Sequence, residues 1–116
     1  MMNYDDIKIV TLCGSSRFKD EFEKQENLLA LQGYVVLSLD IFSKSDNKKL
    51  SDEELELLRL EHFKKIEISD MIFVINKDGY IGKDTVMEIN FALKLNKKVK
   101  FLEEKINIDY STKSIK

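Results

Sequence analysis

Two short stretches hold residue types at spacings that can do chemistry. The first is Cys13-Gly14-Ser15-Ser16-Arg17. A glycine lets a backbone approach a ligand, two hydroxyls and the free N–H groups of a helix start can bind an anion, and arginine adds a charged fork. The segment therefore reads as a phosphate or carboxylate cradle. The same residues also allow a plainer reading, in which Ser15 or Ser16 caps a helix and Arg17 is solvated. The second stretch supplies Asp78, Gly79, Tyr80, Gly82, Asp84, Thr85 and Glu88. Thr85-x-x-Glu88 matches a capping box, which accounts for both residues without any function. It equally places a carboxylate beside a glycine-bearing loop, where a partly desolvated cleft would give it chemical work. A glutamate at a helix N-terminus is expected to have a lowered pKa, which suits a cap and a nucleophile alike.

Four other residues need a reading. Cys13, at a strand end with no histidine near it in sequence, reads as a small buried residue. His62 is the only histidine and falls on the Leu55, Leu58, Ile66 side of its helix, so it reads as a hydrogen-bonded core or boundary residue. With no second histidine and no cysteine cluster, neither a metal nor a cofactor is indicated. Asp40, at the end of a strand, reads as a turn residue. Asp70 starts a strand at the end opposite the expected site, which makes it structural if the strand is ideal.

The elements that must position these residues follow from changes of apolar period. "IKIVTLC" (7–13) and "YVVLSLDIF" (34–42) read as buried strands. Between them Phe18, Phe22 and Leu29 recur at helical spacing up to Gly33, which makes one βαβ unit. Residues 43–49 are polar and turn-forming, and 43–50 could act as a loop or a lid over a ligand. Ser51 and Glu54 form a capping box, with Leu50 and Leu55 at the staple positions, and open a helix reaching about Ser69. "MIFVIN" (71–76) is a third strand and "KVKFL" (98–102) an edge-like fourth. A short strand at 106–109 precedes a fraying end. The expected architecture is an α/β, three-layer flavodoxin- or Rossmann-like domain with a parallel sheet of four or five strands in the order 2-1-3-4(-5). In that order ligands bind at the switch point between strands one and three, where both chemical stretches fall.

The chain has 116 residues, read as a single domain with its core at 7–103 and a tail at 104–116. With 19 basic and 21 acidic residues well mixed, a nucleic-acid polymer is not an expected partner. A lone cysteine and the absence of a long apolar run predict a cytoplasmic protein that does not contact a membrane.

Three segments together, "IVTLCGSSRFKDEF", "HFKKIEISDMIFVINKDGYIGKDTVMEINFAL" and "KKVKFLE", resemble the nucleoside 2-deoxyribosyltransferase-like proteins, in particular small bacterial and phage members with GSSRF and GYIG-x-x-T-x-x-E-I motifs. The resemblance spans about residues 7–103. It implies a flavodoxin-like sheet, and Glu88 as nucleophile on the anomeric carbon of a deoxynucleoside. Related members cleave deoxynucleoside 5'-monophosphates, holding the phosphate with a loop like Gly14-Ser15-Ser16-Arg17. It also implies substrate contacts from the loop carrying Gly79, Asp84 and Thr85, with anchoring at Gly82 either lost or taken over by the main-chain N–H groups of Gly82 and Lys83, and it places Asp70 near the base, against the ideal-strand reading. A small-molecule nucleoside or nucleotide is the implied partner, and a homodimer or larger assembly the implied state. A more distant likeness is to the cytokinin-activating phosphoribohydrolases, whose P-G-G this chain lacks. One departure stands out: the family carries a carboxylate or a serine six residues before its nucleophile, and this chain has Gly82. A nucleotide-binding module without turnover is the alternative which that departure keeps open.

Overall fold

The computed structural model describes residues 3–40 and 49–104. Four parallel strands form one sheet in the order β2-β1-β3-β4: β1 (Ile9–Gly14), β2 (Val35–Leu37), β3 (Met71–Ile75) and β4 (Lys98–Phe101). Among the described residues, the crossovers carry α1 (Lys19–Leu31), α2 (Asp52–Ile68) and α3 (Lys83–Lys94). The expected α/β class and strand order are what the chain adopts. The second strand ends at Leu37, short of the expected span, and positions 41–48 and 106–109, with their expected loop, lid and fifth strand, lie outside the described residues.

The pleat sorts each strand's side chains into two cores. Val10 and Leu12 of β1 join Met71 and Ile75 of β3 against Phe22 and Leu29 of α1. Cys13 points to the other face, with Ile72 and Val74, against Ile66 of α2 and Ile89 and Ala92 of α3. This alternation is the period-two rule of a strand covered on both sides. It puts α1 on one face and the α2–α3 pair on the other, and it sends Cys13 toward that pair.

The α2 helix begins as its sequence predicts. The Ser51 hydroxyl accepts from Glu54 N at 3.1 Å, and the Glu54 carboxylate accepts from Ser51 N at 2.9 Å. Removing the hydroxyl with Ser51→Ala is expected to lower stability by about 1 kcal/mol, read as a drop in the urea midpoint at unchanged m-value.

The α3 helix begins differently. Its N-cap is Gly82 and its first residue Lys83, so Thr85 and Glu88 sit inside the helix. Thr85, Glu88, Ile89 and Ala92 are all buried and fall at i, i+3, i+4 and i+7, one apolar-facing stripe. Of the two readings of Thr85-x-x-Glu88, the capping box is therefore absent.

At the carboxyl edge, the Asn76 side chain donates to Glu103 O and accepts from Glu103 N, both at 2.8 Å. This pair ties the exit of β3 to the exit of β4. It fixes where the β3–α3 loop departs, including Asp78 in the left-handed region at φ 57° with its N–H donated to the Glu103 carboxylate at 2.8 Å.

Candidate functional site

The loops after β1 and β3 meet over the carboxyl edge of the sheet and border a cleft of about 630 Å³. One wall is Gly14, Ser15 and Ser16; another is the start of α3, from Gly82 through Thr85, with Glu88 behind it. Helix α2 closes the third side with Arg59, His62 and Lys65. Lys65 is held in place by Asp40, whose carboxylate lies 3.0 Å from its Nζ, and by Ser38 O at 2.7 Å. Asp40 thus anchors a cleft lysine.

Each residue of the first stretch finds a specific local place. Gly14 has φ 148°, and a Cβ on it would lie 2.8 Å from Ile75 O and 3.3 Å from Phe22 Cζ. Close contact of β1 with β3 and α1 thus accounts for this glycine. Gly14→Ala is expected to cost more than about 2 kcal/mol, combining backbone strain with overpacking, and to appear as a large fall in the thermal midpoint. Ser15 Oγ accepts from Arg17 N at 3.2 Å and caps a 3-10 turn at Ser16–Phe18, ahead of α1. Arg17 turns away from the cleft interior. Its guanidinium lies 3.9 Å from the Tyr80 ring centroid and donates to the Tyr80 hydroxyl at 3.2 Å, so it ties the two switch-point loops together.

Gly82 faces the same tyrosine. A Cβ there would meet Tyr80 Oη at 3.2 Å, so the phenol hydroxyl stands where a side chain at residue 82 would begin. Gly79, with φ 77°, is exposed and does not line the cleft.

Asp70 is not brought to the cleft. Its carboxylate accepts from Ile9 N at 2.7 Å, while its own N–H donates to Ile9 O at 2.8 Å. These bonds clamp the starts of β1 and β3, at the edge of the sheet away from the switch point. This is the place that the ideal-strand reading gives the residue, and it does not line the cleft.

Behind the cleft wall lies a buried trio that sequence spacing does not reveal. Cys13 Sγ lies 3.5 Å from His62 Nε2, and His62 Nε2 lies 3.7 Å from Glu88 Oε1. All three residues are buried. Burial pushes the Glu88 carboxyl up to about 8; a hydrogen bond with the Cys13 thiol opposes that rise and the nearby Asp84 charge adds to it. Burial likewise lowers His62 to about 4, helped by the Lys65 charge, and raises the Cys13 thiol well above its ordinary value. Near neutral pH the histidine and the glutamic acid are both uncharged, so their 3.7 Å contact is not an ion pair. The lowered Glu88 pKa expected from a helix dipole is overturned, because the residue lies past the first turn and in the core. His62 Nδ1 and Glu88 Oε1 are buried and lack a hydrogen-bond partner among the described residues. Cys13 is buried as expected but does have a histidine partner, from 49 positions away.

The fold can be set beside solved structures. The 2-deoxyribosyltransferase from the psychrotolerant bacterium Bacillus psychrosaccharolyticus superposes with a TM-score of 0.68, over 91% of this chain and 90% of that one. The two share a fold. At 19% sequence identity the likeness extends to the backbone arrangement and no further. No family model matches the sequence, and no curated protein matches it. Among the described residues no helix is long and apolar enough to cross a membrane.

Proposed function

We propose that the protein cleaves the N-glycosidic bond of a deoxynucleoside or its 5'-monophosphate, with Glu88 as nucleophile. One observation carries this reading. Glu88 lines a switch-point cleft opposite the Gly14–Ser16 loop, and its buried oxygen Oε1 has no hydrogen-bond partner among the described residues. A backbone shared with a 2-deoxyribosyltransferase supports the same chemistry.

The reaction follows from charge. As the bond from C1' to the base breaks, its electron pair leaves with the base and positive charge builds on the sugar. A carboxylate on the opposite face stabilises that charge and closes to a glycosyl ester. The departing base takes up a proton, for which Asp84 at the cleft wall is better placed than Asp70. A second base or water then attacks C1' and releases Glu88, giving net retention. Ser15, Ser16 and the N–H groups at the start of α3 are the groups suited to a 5' hydroxyl or phosphate. Arg17 contributes by fixing the loop that carries Ser15 and Ser16, together with Tyr80.

A second reading is favoured by the neutral state of Glu88 near pH 7: a nucleotide-binding module that does not turn over. Incubation with a panel of deoxynucleosides, ribonucleosides and their 5'-monophosphates, with and without an acceptor base, separates the two. Free base or exchanged nucleoside is the expected result. Tight binding of a nucleotide with no base released at any pH up to about 9, beyond the point at which Glu88 ionises, would overturn the enzymatic reading.

A further inference from the structure

Cys13, His62 and Glu88 offer one ligand atom each, from β1, α2 and α3, and these atoms all lie within 4.8 Å of one another. Thiolate, imidazole and carboxylate form a donor set suited to zinc-class ions, whereas magnesium and calcium take oxygen ligands. Two of the three separations match the donor types, and the third is no more than 4.8 Å. In a tetrahedral zinc centre, with bonds of about 2.3 Å to sulfur and 2.0–2.1 Å to nitrogen and oxygen, neighbouring ligand atoms stand roughly 3.3–3.6 Å apart. Here the sulfur–nitrogen separation is 3.5 Å and the nitrogen–oxygen separation 3.7 Å. A second observation points the same way: Glu88 Oε1, which faces His62 Nε2, is buried without a hydrogen-bond partner, and its side chain is only 10% exposed. A buried carboxyl oxygen left in that state is costly unless something binds it.

We propose that Cys13, His62 and Glu88 bind one zinc-class divalent ion, and that its binding withdraws the Glu88 carboxylate and inhibits the enzyme. His62 and Glu88 both line the cleft, so the ion reaches the trio from that side and keeps a coordination position for water there. Binding replaces the thiol proton and, where the carboxyl is protonated, that proton as well; both pass to solvent while the imidazole binds as the neutral ring. The ion site is independent of the proposed reaction, whereas inhibition rests on Glu88 being its nucleophile.

The test starts from chelator-treated full-length protein, titrated with Zn²⁺ in a calorimeter and with Co²⁺ in an absorption cell. One ion per chain is expected, with a thiolate-to-cobalt charge-transfer band and no comparable response to Mg²⁺. Cys13→Ser should abolish the band, and both Cys13→Ser and His62→Gln should weaken Zn²⁺ binding by about 100-fold or more, beyond what loss of an outer-sphere partner costs. Circular dichroism establishes which variants fold, and the wild-type cobalt spectrum decides the thiolate ligand even if a variant does not. Absence of binding by wild type, or equal affinity in both folded variants, overturns the site. In the activity assay, Zn²⁺ should stop base release and a chelator should restore it; release that continues with the cobalt band at full strength overturns the inhibitory role. If no substrate yields free base, the proposed reaction fails while the cobalt spectrum still reports on the site.

Discussion

Replacing Glu88 with glutamine is expected to lower kcat/KM for base release by about 10³-fold or more, with the protein still folded. An amide matches the shape of the carboxyl but cannot form the glycosyl ester. The usual objection to such a variant is that the glutamate was structural. Here the N-cap of α3 is Gly82, and Glu88 lies inside the helix, so no cap is lost. The carboxyl is also uncharged at pH 6, because burial holds it near 8, so the exchange there is between two neutral groups of equal size. The thermal midpoint at pH 6 should stay within a few degrees of wild type, at roughly 1 kcal/mol or less. Base release within about tenfold of wild type would remove Glu88 from the chemistry.

How much of this was legible differs by residue. The strand order followed from apolar runs separated by helical periods, since parallel neighbours require right-handed crossovers. The Ser51 box was legible because a cap is a local bargain among four consecutive residues, and no tertiary contact competes with it. The same template misled at Thr85-x-x-Glu88. The signal that would have corrected it was present: Thr85, Glu88, Ile89 and Ala92 share one helical stripe, and a stripe with two apolar members buries its polar ones too. The pairing of Cys13 with His62, and that of Arg17 with Tyr80, was not legible. These partners are 49 and 63 residues apart, and their meeting depends on the phase of a strand's pleat and the rotation of helices about their axes. Both are set by packing. Gly14 was read as a point of close approach by ligand; the close approach is real, but Ile75 and Phe22 make it.

Above about pH 6.5, activity and stability are expected to move in opposite directions as pH rises. The nucleophile must be ionised, and Glu88 ionises near 8, so kcat/KM should climb about tenfold per pH unit below that point and level off above it. For stability the signs of two groups must be combined. Glu88 has a folded pKa of about 8 against an ordinary 4.5; the folded state holds the extra proton between these values, and stability falls with rising pH across that window. His62 has a folded pKa of about 4 against 6.5; the unfolded state holds the extra proton there, and stability rises with pH across that window. Between about 4.5 and 6.5 the two slopes nearly cancel. From 6.5 to about 8 only the glutamate slope remains, and the protein should lose on the order of 1–2 kcal/mol across that window; above it the raised Cys13 thiol adds a further fall. Glu88→Gln removes one of these slopes, so the variant should gain stability up to about pH 6.5 and then stay flat to about pH 8. Urea unfolding at closely spaced pH values, with chelator present, measures both curves. A wild-type curve parallel to that of the variant above pH 6.5 would mean that Glu88 already ionises at an ordinary carboxylate pKa. A rate profile flat across the same range would mean that its ionisation does not limit the reaction. The combination expected here, an enzyme that becomes faster as it becomes less stable, is the signature of a nucleophile kept in the core and charged at the expense of the fold.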